Sequence, residues 1–336
     1  MPIALRSFAK INLGLKIGPG RPDRFHELRT IYQTLALHDV VRVEAQPGNG
    51  IEIRCGDPRV PRDSSNTCYK IAERVLKTVK VHSKVVIEID KRLPIQGGMG
   101  AASSNAVATM LGLERALDIN LAPQDELRIA AEVGSDLPLF LIGGTVLGAD
   151  RGQEVYPLQD LPAMAVVVAT PPLGVSTPRA FAQWDALIAR GGELTAAAAM
   201  GKMKMFHQAV YAWWSESLLS PAVPAEGPAS GVPAVGGDRA ETPLLDLVRT
   251  GIENDFERVV FPEYPELREV KSVLLREGAR FASLSGSGST LYGLFASPDQ
   301  ADAAAASMRD AGHAAVATTT LAREQYWERQ PVTGNG

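Results

Sequence analysis

The chain has 336 residues, 45% hydrophobic and 21% charged, roughly twice a typical domain of about 150 residues, so two packed domains with ample core are expected and a fibrous or disordered chain is not. With 34 Lys+Arg against 38 Asp+Glu and a net charge of −4, it has no basic field for nucleic acid or an anionic membrane, and its two cysteines lack the spacing of a disulfide framework or a zinc site. Charges at Arg6, Lys10 and Lys16, and the lack of any run of about 18 uncharged apolar residues, disfavour a signal peptide and a membrane span, so a cytoplasmic protein with a small-molecule ligand is expected.

In chain order, FAKINLGL (8–15) reads as a mostly buried strand. Residues 40–54, VVRVEA, QPGNG and IEIR, give two alternating runs around a turn, which predicts an antiparallel hairpin. Ser64, Ser65 and Asn66 precede TCYKIAERVLKTV, whose Ile71, Val75, Leu76 and Val79 recur at helical spacing after good caps. VVIEID (85–90) predicts a strand that feeds LPIQGGMGAASSNAVATMLGLERAL, a glycine loop followed by a helix. PQDELRIAAEVG predicts another helix, with Pro123 near its start and Gly134 at its stop. The continuous apolar run AMAVVVAT (163–170) predicts a fully buried strand opening a second domain, with the boundary near residue 160. Residues 221–243 are rich in Ala, Pro and Gly and are expected to be a surface excursion within a flexible insertion of about 190–243. A helix over PELREVKSVLLREG and a glycine/serine turn leading into a strand, SLSGSGSTLYGLF, complete the predicted elements.

Two features carry chemistry. GGMGAASS (97–104) lies between a strand and a helix, where backbone N–H groups and the helix dipole suit phosphate oxygens, although neither GxxxxGK[ST] nor GxGxxG is present. Its hydroxyls, Ser103 and Ser104, can add donors or a magnesium contact; the alternative is a glycine turn that serves packing only. Lys10, among the apolar residues of its strand, and Asp136, ahead of a proline and an apolar run, are acid/base candidates or, alternatively, members of structural ion pairs.

Together, FAKINLGL, LPIQGGMGAASSNAV and SLSGSGSTLYGLF, in that order, resemble the three motifs of the GHMP kinases, the superfamily of galactokinase, homoserine kinase and mevalonate kinase. DRFHELRTIYQTLALHDVV, SSNTCYKIAE, GSDLPLFLIGG, STPRAF and IENDFE narrow the resemblance to the branch acting on 4-diphosphocytidyl-2-C-methyl-D-erythritol (CDP-methylerythritol) in non-mevalonate isoprenoid synthesis. It covers nearly the whole chain apart from about 190–243 and the tail.

The resemblance implies an α+β, two-domain architecture: an N-terminal α/β domain over 1–160 and a ferredoxin-like α+β domain over 161–336, with the active site in the cleft between them. It implies ATP with Mg²⁺ as donor and the 2-hydroxyl of CDP-methylerythritol as acceptor. Lys10 and Asp136 would face that hydroxyl, with Asp136 as base or orienter, and Asn12 would place the methylerythritol end. Phe25, standing where tyrosine is frequent, would stack on cytosine; His26 would hydrogen-bond its edge; Tyr32 and Phe181 would surround the base with Thr177 nearby. Asn66 would sit by adenine, and Gly97, Gly98, Met99, Gly100, Ala101, Ala102, Ser103 and Ser104 would wrap the phosphates, with magnesium near Ser103. Gly286 and Ser287 would close the turn over the reacting centre. The aromatic–histidine set favours a nucleotide-bearing acceptor over homoserine or mevalonate, and the presence of both Lys10 and Asp136 disfavours a catalytically silent relative.

Overall fold

The computed structural model describes residues 2–95, 97–191, 195–219 and 252–332, with 212–219 described by backbone alone. β1 (Ile3–Gly20) and β2 (His26–Gln46) pair antiparallel over most of their length. Their register shifts between Phe8 and Lys10 and again between Asn12 and Gly14, and such bulges re-aim side chains beside functional sites. β3 (Gly50–Cys55), α1 (Thr67–Val79) and β4 (Lys84–Asp90) follow.

The hairpin expected over 40–54 does not form. β4 lies between β2 and β3, antiparallel to the first and parallel to the second. The reason is burial: β4 covers Val85, Val86, Ile87 and Ile89 from solvent, so it takes the interior position, while β3, with Arg54 exposed, tolerates the edge. Alternation shows that a segment is a strand but not which strand lies beside it.

α2 (Ala101–Leu117), α3 (Pro123–Val133), a 3₁₀ turn at Pro138–Leu141, β5 (Thr145–Ala149) and β6 (Glu154–Pro157) complete the first sheet, whose order is β3-β4-β2-β5-β6 with β1 on β2. Ile71 and Val75 of α1 and Met110 and Leu113 of α2 pack with Val41, Val43 and Ile87 of the sheet.

The second sheet contains β7 (Ala165–Ala169), β8 (Phe281–Leu284), β9 (Leu291–Phe295) and β10 (Ala315–Thr319) in the antiparallel order β10-β7-β9-β8. This is the strand order of the expected ferredoxin-like layer. Its helices are α4 (Thr177–Ala189), α6 (Glu257–Glu263), α7 (Pro265–Arg276) and α8 (Pro298–Asp310), while α5 (Ala196–Leu219) packs on β1 and β2. β7 is apolar throughout because both of its faces are covered. Ala165, Val167 and Ala169 pack among this sheet's helices, while Val166 and Val168 meet Ile11, Leu13, Ile31 and Leu35 from the first sheet.

Two expectations need correction. Residues 196–219, inside the expected flexible insertion, form α5, which buries Met203, Phe206 and Val210; the Ala/Pro/Gly-rich segment 221–243 lies outside the described residues. The chain's end also leaves the second unit. α9 (Arg323–Arg329) docks on the first sheet's core, where the Tyr326 hydroxyl donates to the Phe140 carbonyl (2.7 Å) and Trp327 Nε1 to that of Ile142 (3.0 Å). Among the described residues no helix is long and apolar enough to cross a membrane.

Candidate active site

Two clefts meet at Gly98. The first, about 390 Å³, is lined by the glycine loop, by Asn66 and Thr67 at the start of α1, and by Lys91 and Pro94. Gly98 and Gly100 have φ of 77° and 69°, and a Cβ on Gly98 would lie 2.1 Å from the Ser285 carbonyl oxygen, so both backbone conformation and space require glycine there. Ala101 and Ala102 are the first residues of α2 and need no left-handed conformation. No side chain caps α2 at Gly100, which leaves its N-terminal end to an anion.

The loop is clamped from both sides. The Lys10 amide donates to the Met99 carbonyl (3.0 Å) and the Thr290 amide to that of Gly97 (3.2 Å), while Ser285 Oγ donates to the Gly98 carbonyl (2.9 Å). Not every residue expected in this cleft offers a free polar group to it. Asn66 lines it, but its Oδ1 accepts from the Cys68 amide (2.8 Å) and its Nδ2 donates to the Pro61 carbonyl (2.6 Å), so it acts as the cap of α1. Ser103 lies on the cleft wall, whereas Ser104 and the Met99 side chain are buried.

The second cleft, about 610 Å³, carries Lys10, Asn12 and Asp136 at one end. Lys10 Nζ lies 3.4 Å from Asp136 Oδ2 and donates to Asn12 Oδ1 (2.7 Å). Asn12 is itself held, since its Nδ2 donates to Thr30 Oγ1 (2.7 Å) and its carbonyl accepts from the Tyr292 hydroxyl (2.9 Å). The β1 bulges on either side of Lys10–Asn12 bring both side chains to this cleft. Burial pulls the Lys10 ammonium below the usual lysine range, with Asp136 opposing the shift.

Tyr32 stands here as well, and not in the aromatic stack that the resemblance implies. Its hydroxyl donates to Asp136 Oδ1 (3.1 Å). Burial first and then the Asp136 charge push its pKa well above the ordinary tyrosine value, so it remains a donor. The Gly286 turn reaches the same point, because a Cβ on Gly286 would lie 3.6 Å from Lys10 Nζ. Asn254 fixes that turn by donating to the carbonyls of Leu284 (2.8 Å) and Gly286 (2.7 Å), and the Ser287 and Thr177 hydroxyls share a hydrogen bond of 2.7 Å.

At the other end, the His26 and Phe181 rings stack 4.6 Å apart at 14°, with Phe256 edge-on behind Phe181. His26 Nε2 is 2.8 Å from Asp185 Oδ1. Phe25 is 46% exposed, and the Arg151 guanidinium lies over its ring at 4.6 Å. Asn254, Tyr292, Asp185, Arg24 and Arg151 were not singled out as site residues by sequence. Asn254, Arg24 and Tyr292 lie inside the IENDFE, DRFHELRT and SLSGSGSTLYGLF segments, whereas Asp185 and Arg151 lie outside every quoted segment.

Comparisons with known proteins show the family of the chain. Residues 66–144 match the GHMP kinases N terminal domain and residues 241–314 the GHMP kinases C terminal model. The chain is 34% identical over 292 residues to 4-diphosphocytidyl-2-C-methyl-D-erythritol kinase of Solibacter usitatus, covering 87% of this chain and 80% of the relative. It is 32% identical to the like-named protein of Acaryochloris marina, with 91% of each chain covered. A crystal structure of 4-(cytidine 5′-diphospho)-2C-methyl-D-erythritol kinase superposes with a TM-score of 0.69 at 27% identity over 94% of this chain and 98% of that one. Homoserine kinase from Cytophaga hutchinsonii, at 19% identity and a TM-score of 0.66 over 97% and 96% of the two chains, shares the fold. This chain belongs to the GHMP kinases, in the branch represented by the 4-diphosphocytidyl-2-C-methyl-D-erythritol kinases.

Proposed function

We propose that this protein transfers the γ-phosphoryl group of ATP to the 2-hydroxyl of CDP-methylerythritol. The observation that carries the reading is the position of the Lys10–Asp136 pair, in the acceptor cleft next to the Gly98 junction with the loop cleft. Phosphoryl transfer asks little covalent chemistry of a protein; it needs in-line placement and neutralisation of charge on the phosphate oxygens. The loop amides and the α2 dipole serve the donor phosphates. Lys10, buried and steered by Asn12, supplies a fixed cation beside the acceptor oxygen. Asp136 takes or orients the hydroxyl proton, and Tyr32 holds one of its oxygens so that the other is directed to the pair.

In this reading Phe25 offers its exposed face to cytosine and His26 meets the base edge, with Phe181 supporting the His26 ring. Magnesium enters with ATP. Among the described residues no cluster of three His, Cys, Asp or Glu side chains could hold a metal, and the Ser103 hydroxyl on the cleft wall is an oxygen donor suited to a hard cation that keeps most of its waters. When bound, the ion screens charge on the β- and γ-phosphates. The two units divide near residue 160, between β6 and β7.

The test is ADP release by the purified protein with CDP-methylerythritol, mevalonate, homoserine and galactose, each in turn. Release with CDP-methylerythritol alone supports the reading. Faster turnover of any of the other three would overturn it.

A further inference from the structure

Arg24 and Arg151 line the acceptor cleft, yet the reading above gives neither a part. The other charged groups of that cleft are matched: Asp136 faces Lys10, and Asp185 faces His26. Arg24 has no hydrogen bond or ion pair from its guanidinium among the described residues. Its neighbour Arg21 differs, being bound to Asp23, Glu27 and Asp150. Those contacts pin the turn at 21–25, which is closed by the Arg21 amide on the Phe25 carbonyl (2.7 Å) and holds Arg24 in left-handed backbone at φ 68°. Arg24 is therefore presented as an exposed, unneutralised cation on a fixed support.

Arg151 is placed between the two ends of the cleft. Its guanidinium covers the Phe25 ring at the base end. The next residue, Gly152, packs against Tyr32 so closely that a Cβ there would lie 2.5 Å from the hydroxyl that bonds Asp136. The carboxylate nearest Arg151 is Asp150, at 3.8 Å, and Asp150 is already held by Arg21 and Gln153.

We propose that Arg151, together with Arg24, binds the diphosphate that separates the cytidine from the reacting alcohol in the acceptor. The proposal rests on the nucleotide-diphosphate reading of this cleft and extends it to two arginines to which the resemblance gave no role. A planar guanidinium meets phosphate oxygens with paired donors, and stacking on Phe25 leaves the edge of Arg151 free for that contact.

The test is calorimetric titration of the full chain with CDP and with cytidine, the donor cleft being saturated by a non-hydrolysable ATP analogue. Wild type is expected to bind CDP about tenfold or more tighter than cytidine, the scale of a charge-assisted contact, and the gap should shrink as salt is added. Arg151→Gln and Arg24→Gln should each narrow the gap by lowering CDP affinity more than cytidine affinity, the double variant should erase it, and Arg151→Lys should keep part of it. A gap that both glutamine variants retain in full would overturn the proposal, as would a gap insensitive to salt. A wild type that binds neither CDP nor cytidine would overturn the nucleotide reading itself and this proposal with it.

Discussion

Around the first cleft the chain contributes one contiguous wall: the glycine loop, the uncapped end of α2, and a turn that leaves no space for a Cβ at Gly98. Around the second it contributes side chains drawn from distant segments: Lys10 and Asn12, the 24–32 stretch, Asp136, Arg151, and Thr177 to Asp185. The difference suits the two ligands of the proposed reaction. Phosphate oxygens recur in every donor molecule and are satisfied by N–H groups that any sequence possesses, provided the loop can turn. An acceptor with one reacting hydroxyl and one base must be read by particular functional groups at particular distances. The first cleft should therefore be sensitive to added atoms and the second to removed charges.

The largest effect expected from that contrast is on chemistry. Asp136→Asn keeps the shape and removes the charge beside Lys10, so kcat should fall by about 10²- to 10⁴-fold while the Kd values for ATP and CDP-methylerythritol, measured by titration, stay near wild type. A comparable loss in both Kd values would assign Asp136 to the fold.

Gly98→Ala should produce the complementary result. Left-handed backbone alone costs alanine about 1–2 kcal/mol, and the new Cβ would press on the Ser285 carbonyl, so the loop must shift. ATP affinity should drop about tenfold or more with this displacement, the melting temperature should fall by several degrees, and CDP binding should change least. Unaltered ATP affinity would show that the loop is a packing turn.

The smallest effect lies in pH dependence. Burial lowers the Lys10 pKa from 10.5 and Asp136 only partly offsets this. Lys10 therefore loses its proton below pH 10.5, and kcat/KM should decline there as pH rises. Stability moves the other way. Between the lowered value and 10.5 the unfolded chain keeps a proton that the folded chain has released, so the cost of burying this charge is relieved and stability rises with pH through that window. A pH–rate profile flat to 10.5 would place Lys10 outside the reaction.

The same contrast explains what could be read from the sequence. The loop cleft is contiguous, strand then glycines then helix, and was legible as a phosphate-binding candidate from spacing. The acceptor cleft was legible only through motif resemblance, because nothing local in the chain says that residue 136 meets residue 10 or that residue 185 meets residue 26. Tyr32 is the clearest case. The resemblance put it around the base, whereas pairing with β5 places it where its hydroxyl reaches Asp136. Strand neighbours were hidden for a related reason, since β4 enters between β2 and β3 from more than twenty residues downstream of the turn. Arg24 lies in the DRFHELRT segment and Arg151 outside every motif, and a role for either emerged only with the cleft.

In the proposed reaction the acceptor cleft holds one hydroxyl against Lys10 and Asp136, where the two clefts meet. Phosphorus–carbon coupling in the NMR spectrum of the product formed from ATP and ¹³C-labelled CDP-methylerythritol tests it directly. The expected product carries its new phosphate only through the oxygen on the methyl-bearing tertiary carbon, C2. A phosphate on any other hydroxyl, or a mixture of positions, would contradict it.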